Sequence, residues 1–470
     1  MRKFDLIRLP LGLVACLAVL ATGAGDLSAQ SAPADSVAAH PTERVLQLER
    51  IETVGNNRTS REIILRHVAI EPGDAVDVEI IDGARDRLTA TGYFSDVDLS
   101  TRPGAGRGAV ILVVTVTERS LLSVETGFGY DDLYGWFLTL VGLRMDNTLG
   151  IESTFRLGLR LGFRIAGVDA AWETPIPRDG GIAFALRGHV YNQSHLFFGS
   201  GPPWDGADWR RFEQDITRAG AEAAIRFGTG GATRFSMGLH VESSEPDSAF
   251  MDVSKDEELG PEDLPPTLQT DLGDVLTTGA FFRVVRDTRS SDLYPVSGSF
   301  SLLTLEINDT FLGGDLIFTR VMGDVRKHIS LGNGTVWSSR AKAGWLTSGA
   351  PYYDRFYLGG NYSIRGFEEW SLSPAGGDDG FWLINTEIRT PLVGSRGPQP
   401  RLTGILFFDA GQGWQRGDTS SFRDLESAVG YGVRLGMPWL GTLGLDVGVP
   451  ISEGRTGAPF RIHLLLGFSF

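Results

Sequence analysis

The sequence predicts a transmembrane β-barrel of about 16 antiparallel strands preceded by one small α/β domain, a strand number usual for single-chain barrels. Three observations lead there. From Ser120 to Phe470, short runs alternate apolar and polar residues at the length a strand needs to cross a bilayer. Residues 46–118 carry a different pattern, read as strand, helix, helix, strand, strand. After residue 25 no apolar run is long enough to cross as a helix.

The first residues read as an export signal. Met1-Arg2-Lys3, a mostly apolar stretch from Leu9 to Ala24 and small residues to Ala29 give residues 1–29 the layout of a secretory signal peptide. Leu13-Val14-Ala15-Cys16 looks like a lipoprotein processing box, but apolar residues continue past Cys16. Cys16 is the single cysteine, so a cut after Ala29 or Ala24 leaves no disulfide, thiolate nucleophile or cysteine metal site. Residues 30–45, rich in Ala, Ser and Pro, read as a linker.

Composition narrows the function classes. Lys+Arg 43 against Asp+Glu 58 gives a net charge of −15, and no basic stripe is available for phosphates, which argues against nucleic acid as a partner. The acidic segment with Asp252, Asp256, Glu257, Glu258, Glu262 and Asp263 matches no calcium-loop spacing and reads as a solvated run. The chain has no G-x-S-x-G, H-E-x-x-H or phosphate-binding G-x-x-x-x-G-K, and its seven histidines are scattered. Neither an enzyme nor a cofactor is expected.

Residues 46–118 can be read element by element. Leu46, Leu48, Ile51 and Val54 suggest a strand ended by Gly55-Asn56-Asn57. Thr59 or Ser60 can cap a helix carrying Ile63, Ile64 and His67. Pro72-Gly73-Asp74 breaks the chain, and Ile80, Ile81, Ala84 and Leu88 mark a second helix from Asp77 to Ala90. Gly92 stops it. Tyr93-Phe94 opens a strand, residues 103–108 turn, and Val110, Leu112, Val114 and Val116 alternate along the last strand.

In the barrel, residues 119–470, alternation assigns faces. Asn385, Glu387 and Arg389 fall opposite Trp382, Ile384 and Ile388; Thr403, Phe407 and Asp409 fall opposite Leu406 and Phe408. The charged sets belong to a wet lumen and the apolar sets to lipid. In the last strand Phe460, Ile462, Leu464, Leu466, Phe468 and Phe470 share the lipid face, and Arg461 and His463 face inward. Short turns at 147–150, 175–180, 228–231, 331–334 and 438–441 alternate with long connections at 193–210, 245–274 and 349–380. Residues 152–173 keep alternating with no clear turn.

Several motifs carry a family resemblance. Val54-Gly55-Asn56-Asn57, Gly73-Asp74, Gly92-Tyr93-Phe94-Ser95-Asp96-Val97 and Val114-Thr115-Val116-Thr117-Glu118 make residues 46–118 resemble the POTRA module of outer-membrane assembly proteins. Leu358-Gly359-Gly360-Asn361-Tyr362-Ser363-Ile364-Arg365-Gly366-Phe367 resembles the external loop of the BamA/TamA family, whose (V/I)RG(F/Y) tip folds back into the lumen. Ile364, Arg365, Gly366 and Phe367 match it, within the loop 349–380. The resemblance implies that Arg365 meets acidic residues of the inner wall, at the positions of Glu387 and Asp409. Alternation alone also places both carboxylates inward. Phe468 and Phe470 resemble the C-terminal recognition signal of outer-membrane barrels.

Such a protein is expected in the bacterial outer membrane, with its POTRA domain in the periplasm. It would assemble or insert outer-membrane proteins, binding unfolded clients by strand addition and releasing them into lipid at a seam between the first and last strands. Gly127, Gly129 and the Gly467 region would weaken that seam. Periplasmic chaperones or accessory lipoproteins are further implied partners. A transporter for a secreted partner, or an accessory structural barrel, is the alternative.

Overall fold

The computed structural model describes residues 46–470 except 132–134, 163, 177–180, 199–210, 229–231, 252–256, 260–272, 292–293, 395–399, 419–424, 438–440, 453–458 and 467–469. The signal peptide and linker expected over 1–45 therefore lie outside the described residues, as do Gly467 and Phe468.

The N-terminal domain comprises β1 (Leu46–Val54), α1 (Arg61–Val68), β2 (Ala75–Val76), α2 (Val78–Ala90), β3 (Phe94–Pro103) and β4 (Ala109–Glu118). Its sheet runs β2-β1-β4-β3, with β1 parallel to β4 and β3 antiparallel at one edge. A register shift between Leu48 and Arg50 lets Leu48 and Ile51, three residues apart, both face the core. There they meet Ile64, Val68 and Leu88 from the helices and Leu112, Val114 and Val116 from β4. Ser60 caps α1 and Asp77 caps α2, their side chains accepting from the Ile63 and Ile80 amides. The structure adds β2 to the expected order: after Pro72-Gly73-Asp74 the chain pairs briefly with the start of β1 before α2 begins.

Among the described residues, sixteen strands build the second domain: β5 (Leu122–Asp131), β6 (Gly135–Thr148), β7 (Ser153–Gly162), β8 (Ile165–Glu173), β9 (Ile182–Phe198), β10 (Arg211–Gly228), β11 (Thr233–Met251), then β13 (Val275–Asp287), β14 (Gly298–Asn308), β15 (Phe318–Gly332), β16 (Thr335–Leu346), β17 (Gly380–Val393), β18 (Leu402–Trp414), β19 (Glu426–Met437), β20 (Gly441–Pro450) and β21 (Arg461–Leu466). A three-residue strand, β12 (Glu257–Leu259), extends the tip of β11. The ambiguous stretch 152–173 is two strands, β7 and β8. Consecutive strands pair antiparallel, and the ribbon curls until β21 lies beside β5. Fifteen adjacent pairs have a described register, and β21 neighbours β5 where the ribbon meets itself.

The wall is a soluble protein turned inside out. On β9, Ile182, Phe184, Leu186 and Val190 are exposed on the outside, and Arg187, His189 and Tyr191 line a lumenal cavity. Only a hydrocarbon surround makes such a surface favourable. Among the described residues no helix is long and apolar enough to cross a membrane.

The two domains meet at the turn between β6 and β7. Asn147 donates to the Thr59 hydroxyl at 2.8 Å, the Ser60 amide donates to the Gly150 carbonyl at 3.0 Å, and Glu152 pairs with Arg66 at 2.9 Å and His67 at 2.6 Å. Asn147, Leu149 and Glu152 adopt left-handed φ of 50°, 58° and 62°, a conformation non-glycine residues hold only when their surroundings enforce it. Here the α/β domain does so. Burial of Glu152 opposes its ionisation, yet His67 and Arg66 outweigh it and hold the carboxyl below its usual 4.5.

Candidate functional site in the barrel lumen

The connection from β16 to β17 folds back into the barrel, and its two limbs are bridged at Phe356 and Asp378. At its tip Gly366 turns the chain with φ 93°. An added Cβ there would lie 3.1 Å from the Ala428 side chain and 3.2 Å from the Gly448 backbone. Ile364 and Phe367, flanking the turn, are buried against Ala428 with Leu372 beside them.

Arg365 is fully buried. Its Nε and Nη2 donate to the two oxygens of Asp409 at 2.7 and 2.9 Å, a fork-to-fork pair, and its amide adds a bond to the same carboxylate at 3.1 Å. Nη1 donates to Glu387 at 2.6 Å and to Asp446 at 3.1 Å. The guanidinium lies 3.5 Å from the centre of the Phe407 ring. Two more arginines complete the cluster: Arg389 bonds Glu387 at 2.7 Å, and Arg434 grips Asp446 at 2.5 and 2.9 Å. Three guanidinium groups thus face three carboxylates, all at most 1% exposed. The charges balance, and the multiple bonds offset the desolvation each pays.

Around this cluster the tip is tied to neighbouring strands. Arg340 of β16 donates to the Tyr362 carbonyl at 2.9 Å and Asn385 of β17 to the Ser363 carbonyl at 2.7 Å. β21 is held through three contacts: the Gly366 amide donates to His463 Nε2 at 2.9 Å, Asn361 to the Leu464 carbonyl at 3.1 Å, and Arg461 pairs with Glu368 at 2.7 Å. An accepting Nε2 requires neutral His463 with its proton on Nδ1.

The expected partners Glu387 and Asp409 therefore meet Arg365; Asp446, Arg434 and the stacking ring of Phe407 join them. Asp446 was legible in principle, because alternation sets it with Gly444 and Gly448 on the inner face of β20. One placement needs correction. Phe470 does not face lipid: it is buried, its carbonyl accepts from Arg389 at 3.0 Å, and its ring lies 5.0 Å from that guanidinium. The regular β21 ladder ends at Leu466, and a buried arginine on β17 draws Phe470 inward, so alternation cannot be extended to it. Among the described residues no group of His, Cys, Asp or Glu could hold a metal ion.

Protein-family comparison covers both domains of this fold. The model of the Omp85 superfamily domain matches residues 152–470, and that of the surface antigen variable number repeat, the POTRA module, matches 47–119. The chain belongs to the Omp85 superfamily. Over 430 residues it is 24% identical to the outer membrane protein assembly factor BamA of Nitratidesulfovibrio vulgaris, covering 87% of this chain and 49% of that protein. This Omp85 chain thus spans about half the length of that relative. It is 28% identical over 134 residues to the human sorting and assembly machinery component 50 homolog, covering 27% of this chain and 28% of that one. Among solved structures, BamA from Haemophilus ducreyi lacking POTRA domains 1–3 aligns with a TM-score of 0.71 at 17% identity, over 89% of this chain and 84% of that one. CdiB from Acinetobacter baumannii aligns at 0.51 and 16%, over 90% and 73%. These two likenesses speak to the fold.

Proposed function

We propose that this Omp85 protein is a non-enzymatic assembly factor that inserts β-barrel clients into the outer membrane, with its POTRA domain in the periplasm. The observation that carries the reading is the filled lumen. It is occupied by a loop locked through a dry six-charge cluster, which leaves the wall, where the last strand β21 meets the first strand β5, as the way out for a client. A client leaving between those strands leaves the charge cluster on β17, β18 and β20 in place and strains only the three contacts from the loop tip to β21. An extended client can first add to the free edge at β3, since backbone pairing tolerates any sequence. Lipid, unfolded clients and accessory periplasmic proteins are then the partners. The resemblance to assembly factors named BamA supports this reading.

The test is to join β5 to β21 by introduced cysteine pairs, because Cys16, in the expected signal peptide, is the chain's single cysteine. Oxidation should stop client assembly in proteoliposomes and reductant should restore it. Assembly that proceeds through a crosslinked seam overturns lateral release. If, under that crosslink, a secreted protein still crosses the bilayer, the translocator alternative takes its place.

A further inference from the structure

The lumenal loop is held at a second place, by groups unrelated to Arg365. Just after β16, Pro351 starts a short 3-10 turn, Tyr352–Asp354, whose residues meet β10 and β15, the strand next to β16. Asp354 pairs with Arg218 of β10 at 2.9 Å and approaches Arg320 of β15 at 3.6 Å. Its carbonyl accepts from Arg320 at 2.6 Å. The Tyr352 hydroxyl donates to the buried Gln214 side chain, and the Tyr353 ring lies 5.6 Å from the Arg218 guanidinium. Higher up, Trp370 packs on His195 of β9 with ring centres 4.7 Å apart.

We infer that Tyr352–Asp354 is a second anchor, so that the loop is a strut pinned to both walls and its stem is the end that releases. Exposure separates the two ends. The side chains of Arg365, Glu387, Asp409 and Asp446 are 0% exposed, while Asp354, Arg218 and Arg320 keep 11%, 15% and 23%. They also border a lumenal cavity of about 440 Å³. Water and ions therefore reach the edge of the stem more readily than the tip, and screening weakens the stem more than the tip. Arg218 has an alternative partner in Glu242 and Arg320 one in Glu306 at 3.3 Å, so a departing Asp354 strands neither cation. At the tip Glu387 and Asp446 would keep Arg389 and Arg434, but a departing Arg365 leaves Asp409, fully buried, with no second guanidinium among the described contacts. Release at the stem lets the loop pivot about Arg365 and widens the outer mouth of the lumen. The functional consequence, that the lumen stays shut while clients leave at the seam, rests on the assembly reading.

The experiment is single-channel conductance of the full-length protein in planar bilayers. Wild type should show rare large openings that grow more frequent with salt. Asp354→Asn should raise their frequency several-fold and remove most of the salt dependence, and Tyr352→Phe, which deletes one hydroxyl, should raise it less. Heat-modifiable migration of each variant confirms a folded barrel. Folded Asp354→Asn and Tyr352→Phe proteins that conduct like wild type overturn the second anchor. Client assembly measured on the same variants reports separately on the seam: normal assembly with more openings leaves the assembly reading intact, and lost assembly with unchanged conductance counts against the strut.

Discussion

Arg365 at the loop tip and Glu152 at the domain joint are alike in chemistry and opposite in setting. Each is an ionisable group held by more than one side chain at hydrogen-bond distance. Every charge around Arg365 is fully buried, whereas Arg66, opposite Glu152, is 49% exposed. A dry cluster loses several kcal/mol when one member goes, because the remaining charges have neither partner nor water. A wet pair loses about 1 kcal/mol or less. The molecule therefore uses ion pairs in two settings, in a dry cluster inside the barrel and in a half-exposed contact at the domain joint.

The sharpest way to break that contrast is Arg365→Ala. It should cost about 3 to 5 kcal/mol and abolish heat-modifiable migration or leave client assembly badly impaired, because it strands the buried Asp409 while Glu387 and Asp446 keep Arg389 and Arg434. Arg355→Ala, ten residues earlier and outside the cluster, should do little. Combining Arg365→Ala with Asp409→Ala should do less harm than the two single losses added, since each alone leaves an unpaired charge. Additive and mild effects in denaturant titrations would mean the cluster is no lock.

A smaller effect is expected from packing at the same tip. A Cβ on Gly448 of β20 would lie 2.5 Å from the Gly366 nitrogen and 2.6 Å from its Cα. Both are backbone atoms and cannot swing aside. Gly448→Ala should therefore push the tip off β20 at a cost of about 1 to 3 kcal/mol. Protease cleavage within 349–380 should rise accordingly, and resistance equal to wild type would show that the loop has more room than this contact allows.

Much of this was legible because strand alternation is strict. Placing Glu387 and Asp409 inward needed only a count by two along β17 and β18, and the loop motif supplied their partner. What stayed hidden is whatever the strands bring together from afar. Asp446 sits on the right face, but nothing local says that β20 closes against the tip from the far side of β18. The Asp354 anchor draws on β10 and β15, strands whose own patterns are long and weakly apolar on the lumenal face. Phe470 fails for a third reason: period-two extrapolation assumes that the strand continues, and a buried arginine four strands away offered its carbonyl and ring a better place. In the α/β domain, the register shift after Leu48 likewise broke the count, although composition still identified the core.

The mildest prediction concerns the joint and turns on the sign of a titration. The Glu152 carboxyl is held below its usual 4.5 in the folded protein, with burial opposing and His67 and Arg66 prevailing. A depressed folded value means the contact contributes fully above the unfolded value and is lost as pH falls through the folded one. Labels on introduced cysteines, one on α1 and one at the base of β7, should therefore report a constant distance from neutral pH to near 4.5 and a loosening below it. Arg66→Ala should shift that loosening upward and cost about 1 kcal/mol or less. Glu152→Gln should remove the pH step while leaving the domains together, because the bonds from Asn147 to Thr59 and from Ser60 to Gly150 do not titrate. A step that persists in Glu152→Gln would assign it to another group. A joint that separates completely in that variant would show that this ion pair, exposed as Arg66 is, works as a lock after all.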